Sequence, residues 1–304
     1  MNYRHAYHAG NFADVFKHAA LALLLQHLRK KDKGFCVIDT HAGIGRYDLA
    51  GPEASKTLEW QEGVAAVMAA PEAPILAPWR EVIADLNPEG GYRFYPGSPL
   101  VARYFQRPQD RLVVAELHPQ DRRALANLFE GDKQILVRPA DGYATLIKQI
   151  PPFERRGVAL IDPPFERVDE WEVLIEVIAE AHAKWATGTY VIWYPVKDLT
   201  EVARFHDVLA SLAIPKTLIA EFHIRPPAPD TFFGCGLAVI NPPWQWDEEL
   251  QTLGDASHSP STGLRRGRLW NGWCRKSLKR GADSTPNPLV SFTWAVVIAP
   301  PPTD

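Results

Sequence analysis

Four short stretches carry carboxylates, glycines, prolines and an aromatic ring in patterns that could hold a flat, nitrogen-bearing ligand and act on its amine. The most specific is Asp162-Pro163-Pro164-Phe165, which closes the apolar run 158–162. Two consecutive prolines stiffen a turn and fix the direction of the Pro163 carbonyl. A planar amine bound there would give one N–H to the Asp162 carboxylate and the other to that carbonyl, while Phe165 stacks on its ring. A Pro-Pro loop that only packs an aromatic uses the same residue types, so the stretches upstream decide between the two readings.

Asp39-Thr40-His41-Ala42-Gly43-Ile44-Gly45 follows the apolar run 35–39 and places two glycines where backbone must approach a ligand at the start of a helix. A tight turn with no ligand fits the same residues. A dinucleotide fingerprint needs Gly or Ala three residues after Gly45, where Asp48 stands, so NAD and FAD are disfavoured. Glu116 ends the run 112–116, a position from which a carboxylate accepts hydrogen bonds from two ribose hydroxyls. Asp141-Gly142 follows the run 134–138 and could accept from an adenine amine, or form an ordinary Asp-Gly turn. What favours the ligand readings is order: acidic and glycine residues at the ends of successive strands converge on one crevice in an open α/β sheet. Asn241-Pro242-Pro243-Trp244 has a similar pattern but follows the last of the seven runs, away from that crevice, and is read as a structural turn.

These residues need a scaffold that brings strand ends together. Apolar runs at 35–39, 112–116, 134–138, 158–162, 189–194, 216–224 and 236–241 are mostly uninterrupted, as strands covered on both faces should be. Helical patterns at 120–129, 169–185 and 199–212 lie between several of them, which predicts an α/β fold with a Rossmann-like, mostly parallel sheet. The last two runs are joined by a Pro-rich loop, 225–233, and so should form an antiparallel hairpin at one end. A buried-type helix is expected over 15–31. The gap between the first two strands is far longer than one crossover needs, and residues 55–69 and 77–86 look helical, so a small helical subdomain is inserted at 47–97. The core should therefore comprise 1–46 and 98–246, with 247–304 a basic C-terminal extension carrying a strand near 290–298.

The composition fits an ordinary globular protein: 304 residues, 46% hydrophobic, with 33 Lys plus Arg against 36 Asp plus Glu. A net charge of -3 excludes a global polycation, although residues 1–34 hold six basic residues against Asp14 and Asp32, a local excess able to meet phosphate. Cys36, Cys235 and Cys274 form no C-x-x-C pair, which argues against a structural zinc site and for reduced thiols. Five of the ten histidines fall in the first 41 residues, but their spacing is poor for a metal, and none is expected. With no apolar leader pattern and no long apolar run, a cytoplasmic protein without membrane contact is expected.

The strand-end motifs together with Tyr3-Arg4-His5, His8-Ala9-Gly10-Asn11, Asp14-Val15-Phe16-Lys17-His18, Tyr95-Pro96-Gly97-Ser98-Pro99, Glu116-Leu117-His118-Pro119 and Trp193-Tyr194-Pro195 resemble the RlmJ family of 23S ribosomal RNA adenine-N6 methyltransferases. These are class I enzymes that use S-adenosylmethionine, and the resemblance covers roughly residues 1–246. It implies that His18, His41, Gly43, Ser98, Glu116, Asp141, Gly142 and Asp162 hold S-adenosylmethionine, that Asp162 is catalytic, and that no metal is used. It also implies that Tyr3 contacts RNA with help from His5 and Lys17, while Pro163 and Phe165 hold the flipped adenine. Phe165 stands where Tyr is commoner in the family, and the tail beyond Trp246 is longer and more basic. The partner implied is 23S rRNA and the expected state a monomer. Methylation of DNA adenine, of another RNA or of a protein glutamine amide would use the same Pro-Pro turn. A ribosome-binding protein that keeps this fold without turnover is the reading from a different class.

Overall fold

The computed structural model describes residues 4–228 and 231–257 and the backbone of 293–297. A 3-10 turn, His5–Tyr7, leads into α1 (Phe12–Arg29). This helix starts earlier than its apolar pattern predicts because Asn11 caps it, its side-chain oxygen accepting the Asp14 N–H at 2.9 Å. α1 is buried around most of its circumference, so it lies inside the molecule and its few polar side chains must find partners there.

After β1 (Cys36–Asp39) the chain turns through β2 (Arg46–Asp48) into the insertion, which holds α2 (Ala54–Thr57), α3 (Val64–Ala69) and α4 (Ala77–Leu86) and returns along β3 (Phe94–Pro96). β2 and β3 pair antiparallel and form the stalk of the insertion, an element too short to show in apolar periodicity. The stretch 55–69, expected as one helix, breaks at Leu58, which is left-handed, and at Gly63. A Cβ on Gly63 would lie 2.1 Å from the Gly10 carbonyl oxygen, and the next amide, Val64, donates to that oxygen at 2.8 Å. The helix is thus interrupted where the insertion grips the amino-terminal segment.

The remaining elements alternate: α5 (Ser98–Phe105), β4 (Arg111–Ala115), α6 (Pro119–Leu128), β5 (Ile135–Arg138), α7 (Gly142–Gln149), β6 (Gly157–Ile161), α8 (Glu170–Lys184), β7 (Thr189–Val196) and α9 (Leu199–Ser211). β8 (Thr217–His223) and β9 (Gly234–Ile240) follow, then α10 (Trp246–Ala256) and β10 (Thr293–Val297). The sheet order is β10-β8-β9-β7-β6-β1-β4-β5. From β7 to β5 all pairs are parallel, whereas β9 runs antiparallel between β7 and β8. Successive residues of one strand feed opposite cores: Val158 and Leu160 join the layer of α1 and the insertion, while Ala159 and Ile161 join that of α8 and α9. That double duty explains the uninterrupted apolar runs.

α10 lies within the stretch read as a C-terminal extension, yet Trp246, Leu250 and Leu253 are fully buried in the same core as α1. Residues through Ala256 therefore pack with the core rather than beyond it, their apolar positions following a helical period. β10 pairs antiparallel with β8 at the sheet edge. The basic stretch 265–280 and Cys274 lie outside the described residues.

Candidate active site

The carboxyl ends of β1, β4, β5, β6 and β7 open onto a crevice of about 440 Å³, in the size range of small-molecule sites. α1 closes one side of it, and His5 and His8 from the amino-terminal segment line the mouth. Every site residue expected from the sequence that falls within the described residues borders this crevice; Tyr3 lies outside them.

Asp162 leaves β6 into the Pro163-Pro164-Phe165 turn, and its Oδ2 receives the Lys17 ammonium at 2.5 Å. Lys17 is 4% exposed, and its ammonium also lies 3.0 Å from Asp14 Oδ1. Burial disfavours that charge, but Asp162 and Asp14 outweigh it and hold the ammonium firmly protonated. Asp14 is equally buried, and its other oxygen accepts from the Gly10 N–H at 2.9 Å and lies 2.8 Å from His5 Nε2. Burial alone would raise the Asp14 carboxyl; His5, Lys17 and His18 instead hold it well below the usual carboxylate range. Lys17 and His5, expected as RNA contacts, are therefore engaged inside the site, and the ammonium leaves Asp162 Oδ1 for another partner. Phe165, in a left-handed conformation, packs against Trp171 and Trp193 with ring centroids 4.7 and 6.1 Å away.

On the other side of the crevice, Glu116 bridges two segments, Oε2 accepting the Gly43 N–H at 2.9 Å and Oε1 the His118 N–H at 2.7 Å. Burial raises its carboxyl while those two N–H groups oppose the shift. Each oxygen keeps a lone pair for a ligand hydroxyl. Gly43 needs its left-handed φ of 60°, and a Cβ there would strike the Tyr47 hydroxyl at 2.2 Å. Asp141 Oδ1 caps α7 through the Ala144 N–H at 2.8 Å, so Asp141 is a helix cap with Gly142 the helix's first residue, and Oδ2 remains for a ligand. His41 packs edge-on against Tyr143 and is kept neutral, with burial lowering its pKa to about 4. His18, deeper in the wall, bonds Tyr95 at 3.0 Å, and burial lowers it to about 3.

The residue that motif reading passed over is Asp39, the last of β1. It is 1% exposed; Oδ1 meets the His41 N–H at 3.4 Å, and Oδ2 has no hydrogen-bond partner. Burial pushes its carboxyl up to about 7, opposed by the Ser98 hydroxyl and reinforced by Asp162. A buried carboxylate left partly unpaired fits a ligand that brings a cation. Asp14 was equally missed, although a polar triad at i, i+3 and i+4 on an otherwise apolar helix was there to be read. Asn241 is not in the crevice: its amide donates to the carbonyls of Ala186 and Gly188, each at 2.8 Å, which makes its Pro-Pro segment a structural turn. Among the described residues, no group of three or more His, Cys, Asp or Glu is arranged to hold a metal ion, and no helix is long and apolar enough to cross a membrane.

Asp39 makes a prediction about stability. A carboxyl raised in the folded state contributes stability that is complete below its unfolded value of 3.8 and lost as pH rises through about 7. Asp39→Asn should therefore raise the thermal midpoint of the ligand-free protein by several degrees at about pH 8 and by less at about pH 5. Calorimetric scans at both values check this, and an equal shift at both would exclude Asp39 as the source.

The chain is similar to known proteins along most of its length. A family model described as ribosomal RNA large subunit methyltransferase D, RlmJ, matches residues 32–270. Ribosomal RNA large subunit methyltransferase J of Escherichia coli K12 is 38% identical over 275 residues, spanning 90% of this chain and 98% of the relative. The protein of the same name from Haemophilus influenzae is 40% identical over 256 residues, 83% of this chain and 91% of its own. The crystal structure of protein LPL1258 from Legionella pneumophila superposes with a TM-score of 0.75 at 36% identity, covering 82% of this chain and 92% of that one. With a family model matching most of its length and close relatives along nearly all of it, the chain belongs to the RlmJ family of ribosomal RNA large subunit methyltransferases.

Proposed function

We propose that this chain transfers a methyl group from S-adenosylmethionine to the N6 amine of an adenine in 23S rRNA, acting as a monomer in the cytoplasm. The observation that carries the reading is the Asp162 turn, where Lys17 occupies Oδ2 and where Asp162, Pro163 and Phe165 all line the same crevice. When bound, S-adenosylmethionine supplies a methyl group activated by a positive sulfur. Glu116 is suited to its ribose hydroxyls and Asp141 with Gly142 to its adenine, while His18, His41, Gly43, Ser98 and Asp162 complete the cradle. The orphaned Asp39 Oδ2 and the spare lone pairs of Glu116 fit such a ligand.

The chain's own contribution is alignment. Asp162 Oδ1 and the Pro163 carbonyl accept the two N6 hydrogens, which turns the nitrogen lone pair out of the ring system and toward the methyl carbon. Positive charge that develops on N6 meets the carboxylate, and the proton leaves through Asp162 or water. An adenine reaches this crevice only after it leaves its stack. In this reading Tyr3 adds an aromatic plane for RNA, and His5 and Lys17 help it.

Glu116→Ala should weaken S-adenosylmethionine binding by on the order of tenfold, because buried hydroxyls lose their acceptor. Titration calorimetry checks it, and unchanged affinity would move the ribose elsewhere. The function itself is tested by labelled-methyl transfer to 23S rRNA from cells lacking the modification, beside DNA, other RNA and protein acceptors. N6-methyladenosine in 23S rRNA is the expected product. Label confined to another acceptor, or rRNA binding with no transfer, would overturn the reading.

A further inference from the structure

Two lysines border the crevice, and among the described residues only one of them is committed to a carboxylate. Lys17 is sealed between Asp14 and Asp162. Lys197, the residue after β7, is exposed, and no carboxylate among the described residues pairs with it. Its ammonium rests 5.7 Å from the centre of the Phe232 ring, a cation–π contact worth little in water. Phe232 comes from the segment that joins β8 to β9 and lines the same wall.

The sheet order gives this pair a side. Glu116 and Asp141 stand at the ends of β4 and β5, on one flank of β1, whereas Asp162 and Lys197 follow β6 and β7 on the other. The wall beyond the Asp162 turn is formed by Phe165, Trp193, Pro195 and Phe232, with Lys197 at its rim. An exposed ammonium with no carboxylate partner among the described residues, beside an aromatic wall, suits a nucleotide whose base enters and whose phosphate stays at the mouth.

We propose that Lys197 binds a backbone phosphate of the RNA strand next to the adenine that enters the crevice, exchanging its resting contact on Phe232 for that phosphate. The proposal rests on the acceptor being RNA. A compact ammonium on a flexible stem makes one point contact, so it should add affinity and register without reading sequence.

The test measures binding of a single-stranded rRNA fragment to the full chain across a salt series. Lys197→Ala should weaken binding by on the order of fivefold at moderate salt and make the slope of log affinity against log salt shallower by about 0.7, the value of one phosphate contact on a single strand. Lys197→Arg should keep the wild-type slope, and S-adenosylmethionine affinity should hold in both variants. An unchanged slope in the alanine variant overturns the proposal, as does a loss of S-adenosylmethionine affinity, which would put Lys197 on the cofactor side. Because the slope is read from binding, it stands apart from the transfer assay: a wild type that binds rRNA without methylating it defeats the functional reading and leaves the slope to judge Lys197.

Discussion

Asp162→Ala is expected to slow single-turnover methyl transfer to rRNA by on the order of a thousandfold while the protein stays folded. The substitution removes the acceptor for one N6 hydrogen and the negative charge that faces the developing cation. It also removes one of the two carboxylates holding Lys17, so a modest fall in thermal midpoint should accompany the loss of rate; Asp14, 3.0 Å from the ammonium, limits that fall. Asp162→Asn keeps an oxygen acceptor and should be milder. Rapid-quench transfer with near-ultraviolet circular dichroism as the folding control distinguishes these effects. A wild-type rate in the alanine variant would place the chemistry elsewhere.

Lys17→Met is the second large effect, and it should strike stability and rate together. The methionine fills the space but leaves Asp14, 2% exposed, with the Gly10 N–H, His5 and the more distant His18 for compensation. Removing one partner of a buried ion pair costs about 3–5 kcal/mol, toward the lower end here because Asp162 keeps some access to water. The thermal midpoint should fall by several degrees. Transfer should slow by on the order of a hundredfold, because nothing then fixes which oxygen of Asp162 faces the amine. A double variant, Asp14→Asn with Lys17→Met, removes the uncompensated charge and should recover much of the stability but not the rate. Recovery of both would reduce Lys17 to a structural role.

The alternation of strand and helix, the hairpin at one end of the sheet and the inserted helices were legible because each rests on local pattern. A buried strand needs a short apolar run, and a crossover helix needs a 3.6-residue period. The strand-end residues Glu116, Asp141 and Asp162 were legible for the same reason: a carboxylate that follows a buried strand in a parallel sheet has one crevice to face. The short stalk of β2 and β3 was not, since three residues show no period and the two strands pair across the whole insertion between them. Nor was the place of β9 between β7 and β8, because hairpin chemistry specifies antiparallel neighbours and leaves open which of them pairs onward.

Charges show the division most plainly. The sequence alone marks Lys17 as a cation near a basic segment, free to meet phosphate; packing α1 against the end of β6 brings together residues 145 apart and makes that cation the partner of Asp162. Asp39 reads as the last residue of an apolar strand, and only burial in the folded chain takes its carboxyl out of water and pushes it up to about 7, against the Ser98 hydroxyl and the His41 N–H. Residue types and strand ends thus determined which groups could reach the crevice. Which of them are paired, neutral or left with a free lone pair depends on solvent exclusion and on distances between elements far apart in sequence, and only the tertiary structure decides those.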